Sequence, residues 1–445
     1  MNGLKSRTGH FFEDRSVKKL AASVAAIGTS VLLMSPAFAQ KTEIEVWHSL
    51  SGPHESVFEN LIDRFNSDSQ TVTVRVRDFS DQAALQQAGR DAVAGNRAKP
   101  DLVQLRDNHD PQVLAQHKDV LPLYQLLAKH PIADAAWFLD STTAFVRDGR
   151  NRLLALPMMA EVPVMFYNID NYRAAGLDAN KPAQSWKELQ AHLLTLRNQG
   201  RSGCPYASAD QVNVHLENLA PLNRELFVKP DNGLKTSRNL SLNFNTLYVR
   251  HLSLMVSWKK TDLFTSSTRA DRAELAFANG DCSVLTAGSG ALATINEGNQ
   301  SFGVAPLPYY PEVAKKRGAP FITGDALWVV AGQSAARNKA TAELLGFFSK
   351  PVIAAEWHQK TGFMPLTDAA FRAADVSFYD SIPGARSIVE QMQNVSKDSS
   401  AGFRVPNYTA VKSILDDALD EAYAQDVSAM SALLGAKEAA DKAMR

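Results

Sequence analysis

The sequence predicts an α/β protein of two discontinuous lobes joined by hinge strands. Three observations support this: strands alternate with helices over residues 42–105, two apolar strands meet within 151–172, and further strands follow a mostly helical stretch that ends near residue 300. Alternating strands and helices predict parallel strands with crossover helices. A chain that crosses repeatedly between two such units leaves a cleft between them.

The first α/β unit begins after residue 41. Residues 42–47 alternate polar and apolar, as a half-buried strand does, and apolar residues recur at helical spacing over 57–65. A strand over 71–76, a helix over 83–94 and a strand over 99–105 complete the unit. Ligands bind at the carboxyl ends of parallel strands, so the following loops are expected to form one rim. The polar side chains of these loops include His48, Ser49, Asp81 and Asp107.

The later elements set the expected lobes. The apolar strands within 151–172 predict a crossing between lobes, with a hinge at Leu156–Pro163. Residues 302–308 resemble a strand that runs back, and 327–331 a further buried strand. We therefore expect the first lobe to hold residues 40–157 and about 301–349. The second lobe is expected to hold residues 158–300 and about 350–445.

The first 39 residues are predicted to be a signal peptide. A basic leader precedes an apolar run of about 15 residues from Leu20 to Met34, and the small residues Ala37 and Ala39 suit cleavage after Ala39. The alternative is a membrane anchor, for which this run is short. We therefore expect export to the periplasm.

Charge and motifs exclude several functions. The 47 basic and 47 acidic residues balance, whereas a general nucleic-acid binder needs a basic excess. Walker loops, the G-x-S-x-G elbow and His pairs at metal spacing are absent from the sequence. Enzymatic activity therefore has little support, and no cofactor, metal or nucleic-acid partner is expected.

The two cysteines, Cys204 and Cys282, are a candidate disulfide because an isolated pair in an oxidising compartment tends to be bonded. Two buried free thiols are the alternative. The segment Gly288-Ser289-Gly290 reads as a strand-to-helix turn, which is either an anion-binding turn or a plain tight turn. Phe363 presents an aromatic edge to a ligand or packs in the core.

Several segments resemble the periplasmic sn-glycerol-3-phosphate-binding proteins of ABC importers, which are related to the maltose-binding proteins. The resemblance runs through nearly the whole chain after the leader and implies the two-lobed, type II periplasmic binding protein fold. The segments that carry it are 45–49, 279–282, 286–290, 327–329 and 354–365, the last of which reads AAEWHQKTGFMP.

The resemblance implies ligand contacts at nine positions, several of which depart from the family pattern. Gly324 and Ser289 keep the family residue, and Asp107 keeps an acidic charge. Gly288 and Glu161 stand where the family has serines. The remaining positions are Asp81 and Phe363 in place of tyrosines, and Lys412 in place of an arginine, with Arg404 as a second candidate. The added carboxylates and the lost hydroxyls weaken the case for glycerol 3-phosphate itself.

We therefore expect a monomeric periplasmic protein that binds a small polar solute and delivers it to ABC permease subunits driven by a separate ATPase. The expected solute is sn-glycerol 3-phosphate or a glycerophosphodiester such as glycerophosphocholine. The first alternative is a sugar or oligosaccharide binder on the same fold. The second is a secreted glycoside hydrolase that uses Asp81 and Glu161.

Overall fold

The computed structural model describes residues 41–94, 99–105, 117–132, 139, 143–199, 203–266, 270–393 and 402–445, which belong to one folded unit. The predicted signal peptide, residues 1–39, lies outside the described residues, as does Asp107. In the described part of the chain, every helix is too short or too polar to cross a membrane.

Thirteen strands are present in the described residues. They are β1 Thr42–His48, β2 Val72–Asp78, β3 Leu102–Leu105, β4 Val120–Leu121, β5 Leu156–Glu161, β6 Pro163–Asn168, β7 Cys204–Ser208, β8 Val228–Lys229, β9 Ser241–Leu242, β10 Phe264–Thr265, β11 Cys282–Gly288, β12 Phe302–Pro306 and β13 Thr323–Val330.

Sixteen α-helices accompany them in the same residues. They are α1 Gly52–Asp68, α2 Gln82–Ala94, α3 Leu123–Lys129, α4 Ile169–Ala174, α5 Trp186–Gln199, α6 Leu219–Leu222, α7 Thr246–Lys260, α8 Ala270–Ala278, α9 Leu292–Ile295, α10 Ala335–Phe348, α11 Pro351–Thr361, α12 Asp368–Ala373, α13 Val376–Ser381, α14 Ala385–Gln393, α15 Tyr408–Ala424 and α16 Ala429–Ala443.

The first lobe is built on a sheet of order β2-β1-β3-β13-β4, with β5 added beside β13. β1 pairs in parallel with β2 and β3, as the strand and helix alternation predicts. β13 then runs antiparallel to β3, β4 and β5. The carboxyl ends of β1 and β3 therefore lie at one edge of this sheet.

The second lobe is built on a sheet of order β10-β7-β11-β6-β12. Its central strand β11 pairs in parallel with β7 and antiparallel with β6. Cys204 and Cys282 occupy facing positions of β7 and β11 and form a disulfide bond. The bond ties together the two strands that lead to Asp210 and to the Gly288 turn.

The expected lobe boundaries need correction at two places. β12 begins at Phe302 but pairs with β6, so the chain is still in the second lobe after residue 301 and returns only with β13. Helix α11 packs against α1 of the first lobe, so residues beyond 349 also belong there. A strand buried on both faces reads as apolar in either sheet, and only long-range pairing decides its place.

The chain first crosses between the two sheets through a single residue. β5 ends at Glu161 in the first sheet, and β6 begins at Pro163 in the second, with Val162 between them. This crossing lies within the segment expected to act as a hinge. The crossing puts the Glu161 side chain at the junction of the lobes.

Candidate functional site

A cavity of about 570 Å³ opens between the two sheets. Its lining comes from both lobes and contains many polar side chains. The lining residues are Ser49, Leu50, Ser51, His54, Gln104, Met159, Glu161, Ala209, Asp210, Gln211, Glu274, Gly288, Gly290, Ala291, Asp325, Phe363, Lys412, Asp416, Leu419 and Asp420. A cleft of this size and polarity is typical of a small-ligand site.

The first-lobe face of the cavity, here called the first wall, consists of Ser49, Gln104 and Asp325. Gln104 is 2% exposed, accepts a hydrogen bond from the Ser49 backbone N–H at 2.8 Å and donates through its amide to Asp325. Gln82 stands behind this wall and donates to the Ser49 hydroxyl at 2.8 Å and to Asp325 at 3.4 Å. Neutral amide donors therefore orient the Asp325 carboxylate.

The second-lobe face, here called the second wall, consists of Asp210, Lys412, Asp416 and Asp420. The Lys412 ammonium lies 2.9 Å from Asp416 and 3.7 Å from Asp210. Burial by itself lowers the pKa of Lys412, but these carboxylates outweigh it and the pKa rises. Asp416 and Asp210 thus share one lysine.

Negative charge is crowded on the second wall. Burial raises the pKa of Asp416, although Lys412 opposes that shift. Burial raises the pKa of Asp420, and the neighbouring Asp416 adds to it. Behind the wall, burial and then the nearby Asp210 raise the pKa of Glu217 to about 8. An incoming cation would relieve this repulsion.

Glu161 lies at the junction between the walls, against the turn that follows β11. A Cβ atom at Gly288 would lie 2.2 Å from Glu161 Oε2, and one at Gly290 would lie 3.1 Å from the same oxygen. The absence of a side chain at Gly288 is therefore what leaves room for the Glu161 carboxylate. A substitution at either Gly288 or Glu161 therefore changes the space available to the other residue.

An aromatic pair closes one end of the cavity. The rings of His54 and Phe363 stack with centroids 4.8 Å apart. His54 Nε2 bonds to the carbonyl of Gly290 at 3.0 Å, which joins α1 of the first lobe to the turn of the second. Burial lowers the pKa of His54, against the opposing effect of its carbonyl partners, so the neutral ring is favoured.

A left-handed residue sets the position of Phe363. Gly362 ends α11 with φ of 80°, and a Cβ atom there would lie 2.2 Å from the Ser289 carbonyl oxygen. This backbone conformation and close approach require glycine. The ring of Phe363 therefore turns from the helix end into the cavity lining.

Four of the nine sequence-predicted contacts line the cavity, namely Glu161, Gly288, Phe363 and Lys412. Ser289 and Gly324 lie beneath the surface. The Ser289 N–H donates to the Val162 carbonyl at 2.8 Å, and Gly324, with φ of 119°, packs against the Met159 carbonyl of β5. Both residues support the site through the backbone and do not line it.

Two predicted contacts lie outside the lining of the cavity. Asp81 is exposed and accepts from the Ala84 N–H at 2.8 Å at the start of α2, outside the cavity lining. Arg404 donates to the carbonyls of Phe403 and Phe145 and does not line the cavity. The resemblance placed a charged residue at each position, but in the structure Asp81 bonds to the backbone of α2 and Arg404 bonds to backbone carbonyls. Asp107 lies outside the described residues.

Sequence reasoning did not select several lining residues. Asp325 follows Gly324 at the start of β13, so its place beside a close-approach glycine was a usable signal. Asp416 lies four residues after the predicted Lys412, the spacing of an ion pair on one helix face, so this spacing was a second usable signal. Gln104 and Asp210 carried no comparable signal.

The chain is similar to known proteins over most of its length. Residues 60–383 match the bacterial extracellular solute-binding protein family. The sn-glycerol-3-phosphate-binding periplasmic protein UgpB of Yersinia pestis bv. Antiqua (strain Antiqua) is 32% identical over 413 residues, covering 91% of this chain and 92% of that protein. The protein of the same name from Escherichia coli (strain K12) is 30% identical over 435 residues, covering 96% and 98%.

Solved structures share the fold. UgpB from Mycobacterium tuberculosis in complex with glycerophosphocholine superposes with a TM-score of 0.69 at 21% identity, over 91% of this chain and 98% of that one. Maltose-bound MalE3 of T. maritima superposes with a TM-score of 0.72 at 17% identity, over 89% and 98%. These structures have the two-lobed architecture described above.

Proposed function

This chain belongs to the bacterial extracellular solute-binding protein family, and from that premise we propose that it binds sn-glycerol 3-phosphate or a glycerophosphodiester for an ABC importer. It is a periplasmic solute-binding component. The observation that carries the ligand proposal is the cavity between the lobes, to which both sheets contribute polar groups. The names of the relatives support the choice of ligand class.

Binding in this cleft needs no covalent step. The lobes meet at Val162, and a small rotation there would bring the first and second walls onto opposite sides of one solute. Polar groups of the solute would replace water at Asp325, Asp210 and Lys412, while the largely buried Phe363 contributes an apolar part of the lining. The loaded form would then deliver the solute to permease subunits that a separate ATPase drives.

A sugar is the second candidate ligand, because carboxylates and an aromatic face also suit hydroxyl-rich rings, and the fold is shared with maltose-binding proteins. The proposed hydrolase pair has less support. Glu161 lines the cavity, whereas Asp81 caps α2 outside the lining. A general acid and its partner need to face the same substrate.

Calorimetric titration of the mature chain with sn-glycerol 3-phosphate, glycerophosphocholine and maltose tests the proposal. We expect a glycerophosphate ligand to bind, and Phe363→Ala to weaken that binding at least tenfold. Phe371→Ala is the control, since this partly buried ring packs in a separate cluster outside the cavity. Binding of maltose alone, or turnover of a glycoside, would contradict the proposal.

A further inference from the structure

The charges that line the cavity are strongly unequal. Among the described residues that line the cavity, six carry carboxylates, and only one, Lys412, is a lysine or an arginine. The carboxylates belong to Glu161, Asp210, Glu274, Asp325, Asp416 and Asp420. Such a lining attracts a cation and repels a dianion.

Lys412 is poorly placed to neutralise a free phosphate monoester. Its ammonium already lies 2.9 Å from Asp416 and 3.7 Å from Asp210. A phosphate group would have to displace these carboxylates or share the lysine with them. Glycerol 3-phosphate carries nearly two negative charges at neutral pH, since its second pKa is about 6.

The Gly288–Gly290 turn holds a carboxylate of the protein itself. Glu161 Oε2 lies so close to this turn that a Cβ at Gly288 would be 2.2 Å away. Serine hydroxyls at positions 161 and 288 would donate to an anion, whereas the Glu161 carboxylate repels one. A phosphate dianion therefore meets a negative charge at this turn.

The second wall offers what a cation needs. Asp210, Asp416 and Asp420 line the cavity with three carboxylates, of which Asp210 and Asp416 pair with the ammonium of Lys412. Their mutual repulsion falls when a further positive charge arrives.

We infer that the solute carries a positively charged nitrogen that binds against the second wall, and that Glu161 excludes a free phosphate monoester from the Gly288–Gly290 turn. This inference rests on the function proposed above. Within that ligand class it selects zwitterionic diesters with an amine head group. Glu161 and Asp420 are then the residues that determine specificity.

Titrations with five probes test this at one ionic strength. The probes are glycerophosphocholine, glycerophosphoethanolamine, glycerophosphoglycerol, sn-glycerol 3-phosphate and choline. We expect the two amine diesters to bind at least tenfold more tightly than glycerophosphoglycerol and glycerol 3-phosphate. Equal or tighter binding of glycerol 3-phosphate would overturn the inference while leaving the proposed function intact.

Choline separates the two proposals. If choline binds and no glycerophosphate does, the selection for a cation stands and the proposed ligand class fails. If an uncharged sugar alone binds, both fail.

Single substitutions assign the roles. Asp420→Asn is expected to weaken the amine diesters at least fivefold and to leave glycerophosphoglycerol within twofold. Glu421→Gln is the matched control, because Glu421 is the next residue on α15, is exposed and does not line the cavity. An equal effect of both variants would show a general loss of charge and would overturn the role of Asp420.

A double substitution at Glu161 and Gly288 is the most direct test of whether Glu161 excludes a phosphate monoester. Glu161→Ser with Gly288→Ser restores two hydroxyls and removes the carboxylate, and we expect glycerol 3-phosphate to gain at least tenfold in affinity. The Glu161→Gln variant, which keeps the side-chain shape, is expected to gain less. Unchanged affinity of glycerol 3-phosphate in both variants would overturn the role of Glu161.

Discussion

The two walls of the cavity are held by different forces. On the first wall, amide groups of Gln104 and Gln82 donate to the Asp325 carboxylate. On the second wall, carboxylates compete for the ammonium of Lys412. Hydrogen bonds from neutral amides do not depend on salt or on pH near neutrality, whereas charge pairs depend on both. One wall is thus a fixed template, and the other responds to conditions and to the charge of the ligand.

The largest effect is expected from the disulfide, which ties together the strands that lead to the second wall. The Cys204→Ser, Cys282→Ser double variant should lower the free energy of unfolding by about 2–5 kcal/mol, because a bond that closes a loop of 78 residues restricts the unfolded chain. Urea unfolding measures this. Wild-type protein unfolded in reducing agent should match the variant, and equal stability of the oxidised wild type and the variant would contradict the expectation.

Gln104→Ala tests the first wall. It leaves the Ser49 N–H without its Gln104 acceptor and removes one donor to Asp325, so we expect a loss of about 1–3 kcal/mol in unfolding free energy. The loss should be the same at about 50 mM and about 500 mM salt, because salt in this range screens charge pairs but leaves hydrogen bonds from neutral amides largely unaffected. Gln359→Ala, which removes a surface hydrogen bond to the Asp375 carbonyl, is the control. A loss that shrinks with salt would remove the contrast between the walls.

Glu217→Gln tests the charge behind the second wall. The carboxyl has a pKa of about 8 in the folded protein and an ordinary value of 4.5, so the folded state binds more protons between these values. Wild-type stability should therefore fall as pH rises from about 4.5 to about 8. The variant should lack this contribution and be the more stable protein at pH 8, by up to several kcal/mol, since each unit of a pKa shift is worth about 1.4 kcal/mol. Parallel stability curves from pH 5 to pH 8 would contradict this.

The smallest effect is expected at Asp81. Asp81→Ala removes the hydrogen bond to the Ala84 N–H, and the loss of such a helix cap costs about 0.5–1 kcal/mol. Affinity for the ligand should stay within twofold, since Asp81 does not line the cavity. A tenfold loss of affinity in calorimetry would return Asp81 to the site.

The sequence predicted the α/β class and the crossing near Val162, because polar and apolar alternation and a short step between two apolar strands are local signals. It misplaced Phe302–Pro306, since an apolar strand fits either sheet and its partner β6 lies more than 130 residues earlier. Among the site residues, Glu161 and Phe363 were found through the resemblance. Gln104 depends on a contact between β3 and β13, which no local pattern reports, whereas Asp325 follows the close-approach glycine Gly324.

The contact between Glu161 and Gly288 constrains how ligand preference can change over generations. A side chain added first at Gly288 would lie 2.2 Å from Glu161 Oε2, so the end of the flexible Glu161 side chain would have to move, whereas shortening Glu161 first removes this contact. Of the two orders in which serines could be introduced, one requires the carboxylate to move at the intermediate stage and the other does not. Ligand preference in descendants of this chain is therefore expected to change by a favoured order of substitutions, in which position 161 changes before position 288.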